Sequence, residues 1–323
     1  MVRSAIEQRL EELTADFEQH RLVVNRDISL RQCRWRPARV RARVLLLTGR
    51  GGFLEKYYPV VIKLLERGLE TISFDWRGQG LSTRPLDNPQ IGHVNDFSDY
   101  LFDLECVTAA FFDSPPAWND CYLLAHSMGA HVALRWLAEK HPGERLFRHA
   151  WLTAPLVGVN TRPYPLPLAR LIVGMAILLG GREKYVPGGK GFNADRYRQE
   201  GLADLCSDPQ QVAYEVACLQ AEPALQLGSP SYGWLQAAFR SIQALLRPAY
   251  LERISQPVTQ FLAEQESVVD VAACQRLQLR LPDCRTVRVP AARHDLLVEA
   301  ESLQQPIWQQ IDDQLSVDLG SAD

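Results

Sequence analysis

A serine at position 127 has the surroundings that a nucleophile needs. It stands at the centre of the segment Ala-His-Ser-Met-Gly, residues 125–129, between an apolar run and a helical pattern. On a sharp turn between a buried strand and a helix, the serine Oγ is exposed for attack on an acyl carbon. Small residues two positions before and after the serine let the two backbones approach, and Ala125 replaces the usual glycine with only one added methyl group. A serine that merely caps the next helix is the alternative, and the flanking residues favour the nucleophile.

Serine is a weak nucleophile until a base removes its proton, and His294 is the candidate base. In folds with this turn, the chain order is serine, then an acid, then histidine. His294 follows the last predicted strand, residues 286–289, and precedes the final predicted helix. The six other histidines lie in segments without such a position. We therefore predict that His294 accepts the proton of Ser127.

The acid that orients the histidine should follow the strand predicted at residues 258–263. Glu264, Glu266 and Asp270 all lie in that stretch. Glu264 still belongs to the end of the strand. Asp270 has the position of a helix start, where a carboxylate stabilises the helix dipole. Glu266 is therefore the preferred acid, and Asp270 stays as the alternative.

Two backbone N–H groups are expected to hold the oxyanion of a tetrahedral intermediate. One belongs to Met128, the residue after the serine. The other belongs to Arg50, in a glycine-rich loop at residues 48–52 that follows the strand predicted at 44–47. The same glycines suggest a phosphate-binding loop, but the Gly-Lys-Ser/Thr ending of the nucleotide motif is missing. The oxyanion interpretation is therefore preferred.

The elements around these residues alternate between strand and helix. Apolar runs at residues 44–47, 71–74, 121–124, 150–153, 258–263 and 286–289 predict strands, with helical patterns between them. This alternation predicts an α/β protein with a doubly wound, mostly parallel sheet. Together with the serine turn and the order of acid and histidine, it predicts the α/β-hydrolase fold. The alternation of strands and helices stops after residue 155 and resumes near residue 251. Residues 1–155 and 251–323 are therefore predicted to form the core. Residues 156–250 would be an inserted helical cap that roofs the carboxyl ends of the strands.

One segment of the predicted cap, residues 166–179, is strongly apolar. It is too short to span a bilayer, which takes about 20 residues. We expect one face of this helix to line a channel above Ser127 for an acyl chain, with Leu171, Ile172 and Met175 as acyl-binding residues. The alternative is that the helix packs on the core for stability alone.

Composition argues against some classes of function. The 323 residues are 46% hydrophobic and 23% charged, with a formal net charge of -3, which argues against nucleic-acid binding. The seven cysteines lack metal-ligand spacing, so we expect no metal, no cofactor and reduced thiols in a cytoplasm. The N-terminal segment lacks the apolar core of a signal peptide, which also predicts a cytoplasmic protein.

Six arginines crowd residues 31–43. A solvated strand face is the favoured interpretation of this run. The alternative is contact with an anionic lipid surface, which would place the protein peripherally at the inner face of the membrane. The sequence leaves the oligomeric state open.

Several segments resemble bacterial lysophospholipases of the monoacylglycerol-lipase-like, serine-aminopeptidase-like group of α/β-hydrolases. They include residues 74–82 (FDWRGQGLS), 92–97 (GHVNDF) and 125–129 (AHSMG). A cap segment at 228–234 (GSPSYGW), an acid loop at 263–270 (AEQESVVD) and a histidine motif at 294–299 (HDLLVE) are similar as well. The resemblance implies that Glu266 is the acid. Thr48 departs from it, because many lipase-type relatives have His-Gly at this point.

The resemblance also implies a function, the hydrolysis of a single carboxylic ester in a lysophospholipid through an acyl-enzyme. The alternatives are a general esterase or monoacylglycerol lipase, an aminopeptidase, and a binding protein that kept the fold without its chemistry. An aminopeptidase would need an acidic pocket for the free amine of its substrate, and the cap sequence singles none out. The expected partner is therefore a small ester or lysolipid substrate.

Overall fold

A computed structural model of the chain describes residues 2–111 and 121–320. Within them, eight strands form one sheet: β1 (Asp16–Val23), β2 (Ser29–Arg36), β3 (Ala42–Leu47), β4 (Leu69–Phe74), β5 (Cys121–His126), β6 (Ala150–Thr153), β7 (Val258–Ala263) and β8 (Cys284–Val289). Their order across the sheet is β1-β2-β4-β3-β5-β6-β7-β8. β2 runs antiparallel to both β1 and β4, and all other neighbours are parallel. The predicted mostly parallel sheet is confirmed.

The central strands are apolar on both faces because helices cover both sides of the sheet. Every residue of β4, β5, β6 and β7 is buried. Alternate residues point to opposite faces, so Leu45 and Leu123 pack in one hydrophobic cluster while Leu46 and Leu124 pack in another. The sheet thus divides the core into two layers.

Ten α-helices accompany the sheet in the described part of the chain: α1 (Val2–Leu13), α2 (Tyr58–Glu66), α3 (Ser98–Phe111), α4 (Met128–Lys140), α5 (Leu166–Leu178), α6 (Ala194–Glu200), α7 (Pro209–Ala221), α8 (Tyr232–Leu245), α9 (Val271–Gln278) and α10 (Glu301–Leu319). α3 and α4 pack in one layer of the core, and α2 and α10 pack in the other. The helices α5 to α8 all lie between β6 and β7, in the region predicted to be the inserted cap. The cap limits at residues 156 and 250 stay a prediction.

The register of the parallel strands brings the candidate residues to one edge of the sheet. Leu47 at the end of β3 is paired with Ala125 of β5, and His126 is paired with Thr153 of β6. On the other side, Ala263 of β7 is paired with Val289 of β8. The loops that follow these ends contain residues 48–52, 127, 264–270 and 290–294. The topology therefore brings the predicted triad residues and the glycine-rich loop to one edge of the sheet.

Much of the arginine run is neutralised inside the fold. Arg31 is buried and forms an ion pair with Asp75 at 2.7 Å. Arg34 and Arg43 both pair with the buried carboxylate of Glu70. These guanidinium groups are held by neighbouring strands and do not form a free basic surface. The arrangement favours the strand-face interpretation over a lipid contact at this run.

Candidate active site

Ser127 lies on a strained turn between β5 and α4. Its backbone has φ 50° and ψ -113°, in the left-handed region that residues other than glycine rarely adopt. The Ser127 N–H donates to the carbonyl of Thr153 at 2.9 Å, and its carbonyl accepts from the N–H groups of His131 and Leu156, each at 3.1 Å. Bonds on both sides therefore stabilise a conformation that turns the hydroxyl away from the helix.

The structure brings Ser127, His294 and Glu266 together in a chain of hydrogen bonds. His294 Nε2 lies 2.9 Å from Ser127 Oγ, and its Nδ1 lies 2.8 Å from Glu266 Oε2. The other carboxylate oxygen of Glu266 accepts from the backbone N–H groups of Val268 and Val269, at 2.7 and 3.1 Å. This is the geometry of a nucleophile, a base and an orienting acid.

Asp270, the alternative acid, has a different role in the structure. Its carboxylate accepts from the N–H of Ala273 at 3.1 Å and caps the N-terminus of α9. A carboxylate in that position satisfies a backbone donor that the helix leaves unpaired. Glu266 alone of the two contacts the imidazole.

Charges within the triad stabilise each other. Burial alone would lower the pKa of His294, but the charge and hydrogen bond of Glu266 outweigh it and raise this pKa above 6.5. Burial alone would raise the pKa of Glu266, but His294 and the two backbone donors hold it below its ordinary value. Glu266 is therefore ionised at neutral pH and ready to accept from the imidazole Nδ1–H.

The pKa of His294 sets an expected pH dependence. A general base acts only when deprotonated, so kcat/KM should rise with pH and level off above the pKa of His294. Because Glu266 raises that pKa, the midpoint should lie above the ordinary 6.5. A pH-stat assay of acid release from a butyrate ester measures the profile. A midpoint below 6.5, or activity that falls over this range, would contradict the role of His294 as the base.

The loop after β3 approaches the serine closely. A Cβ at Gly49 would lie 2.8 Å from the ring of His126 and 3.2 Å from Cβ of Ser127, so only glycine lets the backbone pass here. Arg50 follows directly, and Met128 begins α4 on the other side of the serine. The N–H of the next loop residue, Gly51, donates to the side chain of Gln79. Arg50 and Met128 thus lie next to Ser127, and their role as oxyanion donors stays a prediction.

A cavity of about 220 Å³ opens over Ser127. Its polar lining includes the loop after β3, together with Ser127 and His294. Its leucine-lined wall comes from the segment between β6 and β7. Its apolar members are Leu205, Leu219, Leu225 and Leu227, with Val268 beside them. The inserted segment therefore roofs the serine with leucine side chains.

The residues predicted to bind the acyl chain lie elsewhere. Leu171, Ile172 and Met175 are not among the described residues that line this cavity. Leu171 and Met175 on α5 are instead 60% and 49% exposed, and Val173 is the buried residue of that helix. The expectation of a channel along α5 has to be corrected, because this helix turns most of its apolar side chains outward. In residues 2–111 and 121–320, no helix is long and apolar enough to cross a membrane.

A buried ionic network lies behind the triad and was not predicted from the sequence. Lys56 Nζ pairs with Asp295 at 2.7 Å and with Glu215 of α7 at 3.2 Å. The second oxygen of Asp295 lies 3.0 Å from His126 Nε2. Burial opposes the charge of Lys56, but the two carboxylates outweigh it and raise its pKa well above the ordinary value. The network thus ties the inserted segment to the residues beside Ser127 and His294.

The same region contains the one cluster of the described residues that has metal-ligand spacing. Ligand atoms of His126, His294 and Asp295 lie within 4.8 Å of one another. The ammonium of Lys56 already neutralises Asp295, and His294 Nε2 faces Ser127. The donor set is therefore engaged by groups of the chain itself and does not fit a metal centre.

Fold and site together define an α/β-hydrolase. The nucleophile candidate lies on the strand-turn-helix at β5, and acid and histidine follow β7 and β8 in the expected chain order. The sequence profile of the family described as serine aminopeptidase, S33, matches residues 38–301. The chain belongs to this family, and the predicted family resemblance is confirmed.

Known proteins extend the comparison. The probable lysophospholipase L2 of Haemophilus influenzae is 28% identical over 284 residues, covering 86% of this chain and 85% of that protein. The lysophospholipase L2 of Escherichia coli K12 is 29% identical over 294 residues, covering 86% and 81%. A soluble variant of the monoglyceride lipase from Saccharomyces cerevisiae has a similar fold, with a TM-score of 0.72 at 16% identity over 94% of this chain and 97% of that one.

Proposed function

We propose that the protein hydrolyses a carboxylic ester of a single-chain lipid, a lysophospholipid, through an acyl-enzyme on Ser127. The observation that carries this proposal is the hydrogen-bonded line from Glu266 through His294 to Ser127, with distances of 2.8 and 2.9 Å. The related lysophospholipases of two bacteria support the substrate class. His294 is the base, Glu266 the acid, and the N–H groups of Arg50 and Met128 are the oxyanion donors.

The geometry supports a two-step reaction. Ser127 Oγ attacks the ester carbonyl carbon while its proton passes to His294 Nε2, and the carbonyl oxygen becomes an oxyanion. The intermediate collapses, and the protonated imidazole donates its proton to the departing alcohol oxygen. A water molecule then attacks the acyl-enzyme while its proton passes to His294, and His294 returns this proton to Ser127 Oγ as the fatty acid leaves. Glu266 holds the imidazole in the required tautomer throughout.

The charge of the cavity favours an ester over a peptide with a free amino terminus. An aminopeptidase needs an uncompensated carboxylate to bind the ammonium of its substrate. Asp295 is the acidic residue among those that line the cavity, and it is already paired with Lys56 and His126. The leucine-lined wall instead suits an acyl chain, since burial of each methylene contributes up to about 0.8 kcal/mol.

We also propose that α5 binds peripherally to a lipid surface. Leu171, Leu178 and Leu179 are 60 to 81% exposed, which is unusual for leucines so close together. Residues 160–182 contain three arginines and no carboxylate, so the flanks of the helix favour an anionic interface. This surface lies on the same inserted segment that roofs Ser127. It would bring the cavity close to its lipid substrate.

A comparison of two variants distinguishes the role of the leucines that line the cavity from the role of the exposed leucines of α5. In the variant Leu227→Asn, we expect kcat/KM for a monomeric decanoyl ester to fall about 10- to 100-fold, because a polar group replaces part of the acyl wall. The butyryl ester should lose much less, since its short chain has few methylenes to bury against the leucines. The matched variant Leu171→Asn should keep the chain-length profile but bind anionic phosphatidylglycerol vesicles about 10-fold more weakly, as expected for the loss of one buried leucine.

Both readouts are needed for the comparison. Rates below the critical micelle concentration measure how the cavity binds the acyl chain. Co-sedimentation with vesicles measures how α5 binds the lipid surface. A long-chain defect in Leu171→Asn with a normal Leu227→Asn would return the acyl site to α5. A flat chain-length profile in the wild type would contradict the lipid substrate and leave a general esterase.

A further inference from the structure

Arg50 carries a guanidinium group that no carboxylate of the described residues neutralises. Its Nη2 donates to the carbonyl of Gly228 at 2.7 Å, while its Nε is buried without a hydrogen-bond partner. The buried cations Arg31, Arg77 and Lys56, by contrast, all pair with carboxylates. Arg50 is half-buried, and a cation that loses part of its hydration without gaining an ion pair is costly. The unpartnered Nε of Arg50, in a residue that lines the cavity over Ser127, therefore points to a ligand that supplies the negative charge.

The surroundings of this guanidinium are shaped to hold it in place. A Cβ at Gly92 would lie 2.5 Å from Arg50 Nη2, so the glycine leaves just enough room for the side chain. The guanidinium carbon lies 5.5 Å from the centre of the Trp234 ring, within cation–π range. The hydroxyl of Tyr185, whose backbone bridges to Ser231 three residues before Trp234, is also buried without a partner. Two unsatisfied donors thus share this region.

The region carries a second uncompensated cation. Arg84 donates to the carbonyls of Gly80 and Ala224, both at 2.9 Å, and forms no ion pair with a described carboxylate. Burial lowers the pKa of both Arg50 and Arg84 to about 10, which still leaves each of them charged at neutral pH. The two cations differ in their bonding, because Nε, Nη1 and Nη2 of Arg84 all donate to backbone carbonyls while Nε of Arg50 has no partner. Arg84 also does not line the cavity, so Arg50 alone of the two is placed to meet an anion there.

Arg50 connects this positive region to the nucleophile. It lines the cavity over Ser127, and its own backbone N–H is the proposed oxyanion donor. The guanidinium is thus one side-chain length from the place where the ester carbonyl would bind. In a lysophospholipid, a three-carbon glycerol separates the acylated oxygen from the phosphate. One residue is therefore placed to contact both groups of the same substrate.

We infer that the Arg50 guanidinium binds the phosphodiester of the substrate, an inference that rests on the proposed function. A guanidinium presents several N–H donors in a fixed plane, which suits the paired oxygens of a phosphate. A monoacylglycerol has a free hydroxyl at that point and leaves the cation unpaired. Arg50 therefore selects lysophospholipids over neutral esters with the same acyl chain.

The test compares two monomeric substrates, decanoyl lysophosphatidylglycerol and monodecanoylglycerol. The measured quantity is kcat/KM for the lysophospholipid divided by kcat/KM for the monoacylglycerol, since any loss common to both substrates cancels. In Arg50→Met we expect the ratio to fall about 10-fold or more, the loss typical of a charge-assisted hydrogen bond. Arg50→Lys should lose less, because the charge is kept while the planar donor set is lost.

Arg84→Met is the matched control. It removes a cation bound to the same loop but not among the residues that line the cavity, so the ratio should stay near that of the wild type. An unchanged ratio in Arg50→Met, or an equal fall in Arg84→Met, would overturn the assignment. If the protein hydrolyses neither substrate, the proposed function fails instead, so the two failures are distinguishable.

A measurement on the wild type covers the case in which Arg50→Met does not fold. Ether analogues of the two substrates cannot be hydrolysed and act as competitive inhibitors. The phosphate-bearing analogue should have an inhibition constant about 10-fold or more below that of the neutral analogue. Equal constants would overturn the inference. Inhibition by inorganic phosphate as strong as by the ether phospholipid would assign the site to free phosphate and also overturn it.

Discussion

Replacing Ser127 with alanine should lower kcat for ester hydrolysis by about 10⁴ to 10⁶, the range expected when a member of a cooperating triad is lost. The reason is that the remaining oxyanion donors and the cavity still bind the substrate but supply no attacking oxygen. His294→Ala should cause a loss of similar size, because Ser127 then keeps its proton. The rates are measured on a butyrate ester, which depends least on the acyl wall.

The double variant with Ser127→Ala and His294→Ala shows whether the two residues act together as a triad or contribute to catalysis independently. The double variant should be scarcely slower than either single variant, since the residues act as a unit. A tenth of the wild-type activity left in purified Ser127→Ala would assign the nucleophile to another residue. Circular dichroism should show that each variant is folded, because the Ser127 side chain contributes little to the core.

The second large effect concerns the acid. Glu266→Gln should lower kcat by about 10² to 10⁴, because an amide cannot stabilise the imidazolium and allows the wrong imidazole tautomer. The same change removes the charge that raises the pKa of His294, so the midpoint of the pH profile should move to lower pH. Kinetics from pH 5 to 9 test both expectations on one sample, with the range chosen around the ordinary pKa of about 6.5.

Asp270→Asn is the matched control for this experiment. Asp270 lies four residues further along the same loop and caps α9, so its replacement should affect stability more than kcat. Its pH midpoint should remain at the wild-type value. A larger loss of kcat in Asp270→Asn than in Glu266→Gln, with both proteins folded, would move the orienting role to Asp270.

The sheet could be predicted from the sequence because its central strands are buried on both faces. Such strands appear as short continuous apolar runs, and the run at residues 258–263 has the same limits as β7. The choice between Glu266 and Asp270 could be argued from position, since a carboxylate at a helix start is engaged by the backbone. Chain order and local chemistry were sufficient for these inferences.

Other features depend on contacts that spacing along the chain does not reveal. Lys56 and Asp295 are separated by 239 residues, and either could have been an ordinary surface charge. The apolar pattern of α5 showed that the helix is hydrophobic but not whether its side chains face the cavity or the exterior. Leu219 of the cavity wall belongs to α7, while Leu205, Leu225 and Leu227 come from short segments on either side of it, where no periodic pattern marks them.

The most direct test of the account is covalent labelling with a fluorophosphonate. This probe loses fluoride when an activated serine oxygen attacks its phosphorus, and the adduct is stable to mass spectrometry. We predict one adduct per chain, located on the peptide that contains Ser127, with loss of lysophospholipid hydrolysis in proportion to labelling. Prior incubation with the substrate should slow the reaction, and Ser127→Ala should not react. Full activity after exposure to excess probe, or an adduct on a different residue that tracks the loss of activity, would contradict Ser127 as the nucleophile.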